Sequence, residues 1–400
     1  MRTAAATSRG LVLDVVRQRR AVSRVELAEI TGLTQATIST VVRGLLDDDL
    51  LVESGEREFT GGKPRVKLVL NPRARCAVGV QLGADWIILA VVDAAGAIVA
   101  RTRVRGARDE APEAVVPSIA RDVEHLLAVA GLPQEVVVGL GLALPGVVDL
   151  ERGSIVSSRS LSRWEGFGVR DALADAAALD VVVETNSAAA AIGEFWASGD
   201  GDSKAHATLY MGAGLGAGIV LAGSLYRGAS GNAGAMGPVD GGPGRSGQIG
   251  LEDLAGPAAV AAHARAALAR GRTSSIVLPE PADPFTDFAA VATAAVLGDP
   301  LATSLVEDSA EHVADAALTL ANVLDLDSIV LAGPSFAVAG SIYLAAVRHR
   351  VATSFHARGR HGVDVRLSAQ ISDAAAVGSA ALVLQQELAP RHLGVVSELA

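Results

Sequence analysis

From Ala205 to Tyr226 the chain carries no Asp, Glu, Lys or Arg. An uncharged stretch of that length either crosses a membrane or is buried in a folded domain. Five glycines, at 212, 214, 216, 218 and 223, interrupt it. Each glycine inside a helix costs about 1 kcal/mol relative to alanine, so a spanning helix is the costlier reading. Strand, turn and strand fits better. Thr208–Met211 is the first strand, Gly212–Gly218 a glycine run, Ile219–Ala222 the second strand and Gly223-Ser224 a turn. This places no part of the chain in a membrane and points to an α/β architecture.

The neighbouring pattern extends that architecture into two lobes. An apolar strand over Val78–Val92, a turn at Asp93-Ala94-Ala95-Gly96 and a strand over Ala97–Arg103 read as a hairpin. A helix over 112–130, a strand over Val136–Leu144, a strand over Val181–Glu184 and a helix over Ser187–Ala197 follow. Ser328–Leu331 ends in Gly333-Pro334, with a helix on each side, and 271–286 reads as a surface loop between helices. Strands that end in glycine turns facing helix N-termini build phosphate cradles. Two such lobes with a cleft between them suggest a binder of nucleotides and small molecules. Four hundred residues also exceed one ordinary core of ~100–150 residues.

Charge divides the chain differently. Residues 1–75 hold 13 Lys and Arg against 9 Asp and Glu; the rest hold 21 against 35. A basic head on an acidic body suggests two jobs. The net charge of -10 argues against a uniform nucleic-acid coat but leaves room for a local basic module. A single Cys, Cys76, excludes a disulfide scaffold and a cysteine-built metal site, and fits a reducing, cytoplasmic setting. The opening MRTAAATSRG lacks the apolar core of a secretory leader.

The head, 1–75, reads as a winged helix-turn-helix. Leu11, Val12, Val15 and Val16 give a first helix over about 8–19. Ser23 with Glu26 is a capping box for a second helix over about 24–30, with Leu27 and Ile30 inward. Thr31-Gly32-Leu33 is the turn, and Thr34 caps a third helix over about 35–47. On it Ile38, Val41, Val42 and Leu45 form one apolar stripe; Ala36, Ser39, Thr40 and Arg43 occupy the opposite face, flanked by Gln35 and Thr37. Small hydroxyl residues and one arginine suit a helix that enters a major groove. Strands over Leu50–Glu53 and Arg65–Leu70 form a wing, with Gly61-Gly62-Lys63-Pro64-Arg65 as a thin basic tip for a minor groove. The candidate DNA contacts are Ser23, Arg24, Thr34, Gln35, Ala36, Thr37, Ser39, Thr40, Arg43, Lys63 and Arg65. Asp47-Asp48-Asp49 is a solvated helix end. The competing reading is a three-helix packing module without DNA contact.

Four segments in order resemble the ROK family (repressors, open reading frames, kinases). They are Val78-Gly-Val-Gln-Leu-Gly83, Gly139-Leu-Gly-Leu-Ala-Leu-Pro-Gly-Val-Val-Asp149, Val183-Glu-Thr-Asn-Ser-Ala-Ala-Ala-Ala-Ile-Gly-Glu194, and Gly212-Ala-Gly-Leu-Gly-Ala-Gly-Ile-Val running to Leu225-Tyr-Arg-Gly-Ala-Ser-Gly. The resemblance implies an actin-like, ribonuclease H-like body of two lobes around a sugar cleft. Lobe 1 would span 76–200, lobe 2 would span 201–372, and a C-terminal helix over about 373–388, within 373–400, would return to lobe 1. Headed members resemble sugar-responsive repressors of carbohydrate genes. The resemblance implies a homodimer or homotetramer, and a two-fold pair of recognition helices would read a palindromic double-stranded operator.

The departures from that pattern carry the functional expectation. A ROK sugar kinase needs an Asp as general base and donors around the ATP phosphates. The family's phosphate-loop Asp matches Gln81, its Gly-Gly-Thr matches Gly83-Ala84-Asp85, its second-loop Thr matches Ala213 and its base Asp matches Asn186, after Thr185. An amide cannot take the sugar's proton, so no catalytic residue and no enzyme activity are expected. Gly-Glu-x-Gly-His matches Gly234-Ala235-Met236-Gly237-Pro238, and the zinc cysteines would fall within about 242–250, which has none. Hence neither metal nor cofactor is expected. The candidate effector contacts are Gly146, Thr185, Asn186 and Glu252; Glu252 reads equally well as a first-turn helix acid. Trp164 reads as a packed loop anchor before a ligand wall. Glu194 reads as capping or pairing on its helix rather than touching ligand, and His356 and His361 with Arg350, Arg358 and Arg360 as a solvated basic surface. The cleft could take a metabolite other than a sugar, take a sugar weakly, or take nothing while the body serves as a dimerisation scaffold. The rival functions are a sugar kinase with an accessory DNA-binding head and a protein-contact scaffold.

Overall fold

A computed structural model describes residues 2–58, 65–198, 203–238 and 250–388. The head contains α1 (Arg2–Arg19), β1 (Val22–Ser23), α2 (Arg24–Thr31), α3 (Gln35–Asp47), β2 (Leu51–Glu58) and β3 (Arg65–Leu70). Local chemistry sets these boundaries. The Ser23 hydroxyl accepts from the Glu26 N–H at 3.3 Å, and the Glu26 carboxylate accepts from the Ser23 N–H at 2.7 Å. Gly32, at φ +69°, takes the left-handed conformation that ends α2. The Thr34 hydroxyl then accepts from the Thr37 N–H at 3.2 Å and starts α3. Val12, Val16, Leu27, Ile38, Val42 and Leu45 close the head core. The sheet runs β1-β3-β2, antiparallel throughout. Ile30 corrects the inward placement expected for it, being 47% exposed. On so short a helix only Leu27 and Ala28 reach α1 and α3, and Ile30 falls on the flank.

Lobe 1 holds β4 (Cys76–Gln81), β5 (Trp86–Asp93), β6 (Ile98–Arg105), α4 (Pro112–Ala130), β7 (Val137–Leu144), β8 (Val147–Asp149), β9 (Ser154–Ser157), α5 (Val169–Ala177), β10 (Val181–Thr185) and α6 (Asn186–Ser198). The single strand expected over Val78–Val92 is therefore two strands around a turn at 82–85. Both are buried on both faces, so an unbroken apolar run hid the turn. At the sheet margin β6 alternates, with Arg101, Arg103 and Arg105 exposed on one face. The Arg103 guanidinium lies 4.3 Å from the Trp86 ring centroid, and Arg101 pairs with Asp373 at 2.6 Å.

Lobe 2 holds β11 (Ala205–Met211), β12 (Leu215–Leu221), β13 (Ser224–Leu225), α7 (Leu251–Ala255), α8 (Pro257–Ala269), α9 (Pro284–Val296), α10 (Pro300–Leu324), β14 (Ser328–Ala332), α11 (Phe336–Ser354) and β15 (Asp364–Leu367). Its sheet order, β13-β12-β11-β14-β15, repeats the plan of lobe 1, β6-β5-β4-β7-β10. In each, three antiparallel strands are followed by two parallel ones. The uncharged segment from Ala205 to Tyr226 is thus β11, β12 and β13. Among the described residues no single helix is long and apolar enough to cross a membrane; α9 and α10 pass that test only together, bent by 109°.

The last helix, α12 (Ala374–Leu388), returns to lobe 1 and packs on β4, β5, β7 and α6. Helices α6 and α12 meet almost backbone to backbone. A Cβ on Gly378 would stand 1.7 Å from the Ala189 carbonyl oxygen, so only glycine fits there. Between α8 and α9 the expected surface loop is pinned by Arg265, which reaches Asp287 at 2.5 Å and Glu280 at 2.8 Å.

Candidate nucleic-acid interface and interlobe cleft

On α3 the apolar stripe is turned into the core, and Gln35, Ala36, Ser39, Thr40 and Arg43 stand exposed on the other side. Thr34 is exposed and Thr37 half-buried; their hydroxyls lie 2.9 Å apart at the helix start. Thr40 returns its hydroxyl to the Ala36 carbonyl at 3.0 Å, which fixes its rotamer. Together these form a small, polar, singly cationic face. Ser23 does not join it: at 2% exposure its hydroxyl is spent on the α2 cap. Arg24 lies at the margin, 3.4 Å from Glu53. Lys63 lies outside the described residues. Arg65 opens β3, but its side chain is likewise outside them. Asp48 is not merely solvated, since it pairs with Arg9 at 2.5 Å. Lys67 contributes to the fold rather than the surface: at 2.8 Å from the Glu26 carboxylate, it and the Ser23 N–H hold that carboxyl down to about 2.

In the body the polar groups between the lobes are largely engaged with one another. Thr185 is buried at the end of β10, and its hydroxyl accepts from the Ala188 N–H at 3.3 Å. The next residue, Asn186, opens α6 with its Oδ1 buried and without a partner among the described residues. Glu184, fully buried, meets Arg227 at 2.8 Å; burial raises its carboxyl and Arg227 opposes that. Gly146 sits where a Cβ would be 2.1 Å from the Ser157 carbonyl. Glu252 lies in the first turn of α7 with its carboxylate against Gly214 and Gly237. Burial raises the Glu252 carboxyl, and Arg159 pulls it back. The four cleft candidates therefore occupy β10, α6, α7 and the β7–β8 turn, elements of both lobes.

Further contacts join the lobes across the cleft. Arg159 donates to Asp253 at 2.7 Å. Arg108 reaches Asp283 at 2.6 Å and Asp85 at 3.0 Å, and burial raises the Asp85 carboxyl. The Asn232 side chain pairs with both backbone polar groups of Val148, at 2.8 and 2.9 Å. None of these was legible in the sequence, because the partners lie far apart along the chain and no spacing announces them.

Two expectations need correction here. The run Gly212–Gly218 is not one phosphate cradle. Its first part is a tight turn, with the Gly212 N–H bonded to the Gly214 carbonyl at 3.0 Å. Gly216 and Gly218 lie inside β12 and let α6 approach: a Cβ on Gly218 would stand 2.1 Å from the Ser187 carbonyl. Nor does Glu194 pair on its own helix; its carboxylate accepts from Arg366 at 3.0 Å and from the Ser368 hydroxyl, across in lobe 2. Trp164 is a buried anchor, edge-on to Phe167, as expected. On the expected basic surface His356, Arg358 and Arg360 stand exposed, while His361 pairs with Asp325 and Arg350 with Glu311 and Asp315. The expected zinc-loop segment lies outside the described residues up to 249.

Chemically, an amide at Asn186 and a neutral amide at Gln81 offer no proton acceptor for a sugar hydroxyl. The ROK family model matches residues 77–386, the whole body but not the head. The chain is 24% identical over 387 residues to the DNA-binding transcriptional dual regulator NagC of Escherichia coli (strain K12), covering 93% of this chain and 91% of that one. It is 28% identical over 319 residues to a glucokinase of Halalkalibacterium halodurans, covering 78% of this chain and 96% of that one. A crystal structure described as a ROK family transcriptional regulator, homologous to the E. coli MLC protein, superimposes with a TM-score of 0.73 at 21% identity, covering 96% of each chain.

Proposed function

This chain belongs to the ROK family, and on that premise we propose that it is a DNA-binding transcription regulator, a repressor of carbohydrate or related metabolic genes, without kinase activity. The observation that carries this is the exposed polar face of α3, on a head that lies outside the family model and starts a chain whose near-full-length relative is named as a DNA-binding regulator. Residues 1–75 are the DNA-binding domain, 76–200 with 373–400 one lobe, and 201–372 the other. Gln35, Ala36, Ser39, Thr40 and Arg43 read the major groove, and Lys63 and Arg65 contact the adjacent groove or phosphates. Working in the cytoplasm as a homodimer or homotetramer, it presents paired recognition helices to a palindromic operator.

A metabolite effector enters between the lobes, against Gly146, Thr185, Asn186 and Glu252. The loss of an acid at 235 and a His at 238 removes the groups that would hold a fully hydroxylated sugar. This favours a ligand with fewer hydroxyls. The direct test is purification of genomic fragments on the pure protein, followed by sequencing. Enrichment of a palindromic motif upstream of a few genes, with affinity falling steeply with salt, is expected; no enrichment at low salt would sink the proposal. ADP release over a sugar panel tests the non-enzymatic part, and turnover with any sugar would overturn it.

A further inference from the structure

One helix, α6, touches both lobes and the head. The N-terminal end of α6 lies at the cleft, with Asn186 as its first residue after Thr185. One turn in, it is pressed by lobe 2, where β12 lies against Ser187 and Ala191 through Gly218. Farther along, Glu194 is held by Arg366 on β15 and by Ser368 just beyond it. Along its length α6 lies in backbone contact with α12, which is fixed to the sheet of lobe 1. At the far end, about 15 Å away at 1.5 Å per residue, Trp196 meets the head. The Arg17 guanidinium of α1 lies 4.5 Å from the Trp196 ring centroid and donates to the Trp196 carbonyl at 3.3 Å. Asp14 holds Arg17 in place at 2.9 Å, and both side chains are almost wholly buried. The β5–β6 turn at Gly96 backs the indole from the other side.

We propose that α6 carries the angle between the lobes to the head, and that the Arg17–Trp196 clasp is where the head receives it. This rests on the reading of the chain as a DNA-binding regulator with an effector cleft. Both lobes grip the same helix through close backbone contacts, so a change in lobe angle must shift or turn α6. Packed interfaces of this kind move between discrete arrangements rather than deforming smoothly. The buried stack at Trp196 then resets the position of α1, and with it that of α3. Arg17 and Trp196 are positioning residues; neither lies on the exposed face of α3. A second route exists in the chain connection between β3 and β4, so the test must separate clasp from connection.

Cysteines placed at the cleft mouth by Arg159→Cys with Asp253→Cys can be joined by a short bismaleimide, the native Cys76 being buried. Two readouts are taken before and after joining. One is backbone amide exchange in the head. The other is affinity for a genomic fragment that the protein itself enriches. Joining the lobes is expected to change exchange in α1 and α3 and to shift affinity by about fivefold or more, the lower end of ordinary allosteric coupling. In an Arg17→Gln or a Trp196→Leu background both responses should largely vanish. Arg17→Gln alters only the head side of the clasp and leaves the body core intact. Equal responses with and without the clasp would overturn the proposal in favour of the connection, and no response of head exchange in either would overturn it outright. If exchange responds through the clasp while no fragment binds in any form, the coupling stands and the regulator reading fails.

Discussion

In the head, the side chains proposed to meet DNA stand on the outside of α3, and the core beneath them is closed by Ile38, Val42 and Leu45. In the body, the residues that shape the cleft and the helix pair beneath it are packed against backbone, as Gly378 is against Ala189 and Gly218 against Ser187. Function in the head is therefore separable from stability. In the body it is not: a change that alters the cleft also alters what holds the lobes.

The largest effect should come from Gly378→Ala. The added methyl has no room, and overpacking of this kind costs about 1–3 kcal/mol, occasionally more. For a body of this size that is a fall in melting temperature of about 2–5 °C by calorimetry. An unchanged melting temperature would mean that α6 and α12 separate freely, and the contrast with the head would lose its basis. Next, Arg43→Ala should weaken operator binding about tenfold, a loss of ~1–3 kcal/mol typical of a base-reading arginine, while the melting temperature stays within about 1 °C. A large thermal shift would break the separability claimed for the head.

Acidity should sharpen the comparison further. Burial holds the His206 imidazole of the body at about 4, against an ordinary 6.5, between the hydroxyls of Thr208 and Ser328. The unfolded chain takes up that proton below 6.5, and the folded one refuses it until about 4. Body stability should thus fall as pH drops from 6.5 to 4, by a few degrees in the melt. In the head, the Glu26 carboxyl sits at about 2, against 4.5. Its contribution is complete above 4.5 and is lost as pH falls from 4.5 towards 2. Melts across pH should therefore show the body weakening first, and Glu26→Gln should flatten only the low-pH limb, by about a degree. Simultaneous loss of both regions near pH 5 would contradict this separation.

How much was legible in the sequence follows the same division. The head is punctuated locally. Ser23 with Glu26, Gly32 and Thr34 fix its helix ends within three residues of themselves, so α2 and α3 fall where the pattern puts them. Ile30 fails because an eight-residue helix has too few neighbours to bury its whole apolar face. The body is specified by long-range packing. Two fully buried strands merged into one apolar run, and glycines that admit a helix looked like glycines that admit a phosphate. Arg159–Asp253 and Arg108–Asp283 have no sequence signature, since each depends on the lobes already being in place. The cleft residues were legible only through the family pattern, and what that pattern said most clearly was which groups are missing.

The margin of the lobe 1 sheet has a consequence for how copies of this chain can meet. A strand such as β6 exposes unpaired backbone groups, and a second copy could add to it edge on edge and begin a polymer. Arg101, Arg103 and Arg105 stand on one face of that edge; Asp373 pairs with the first at 2.6 Å and Glu110 with the last at 3.7 Å. Two such strands laid side by side would set rows of guanidinium groups against each other. The acidic body thus lines this edge with cations, a charge pattern that disfavours edge-to-edge growth.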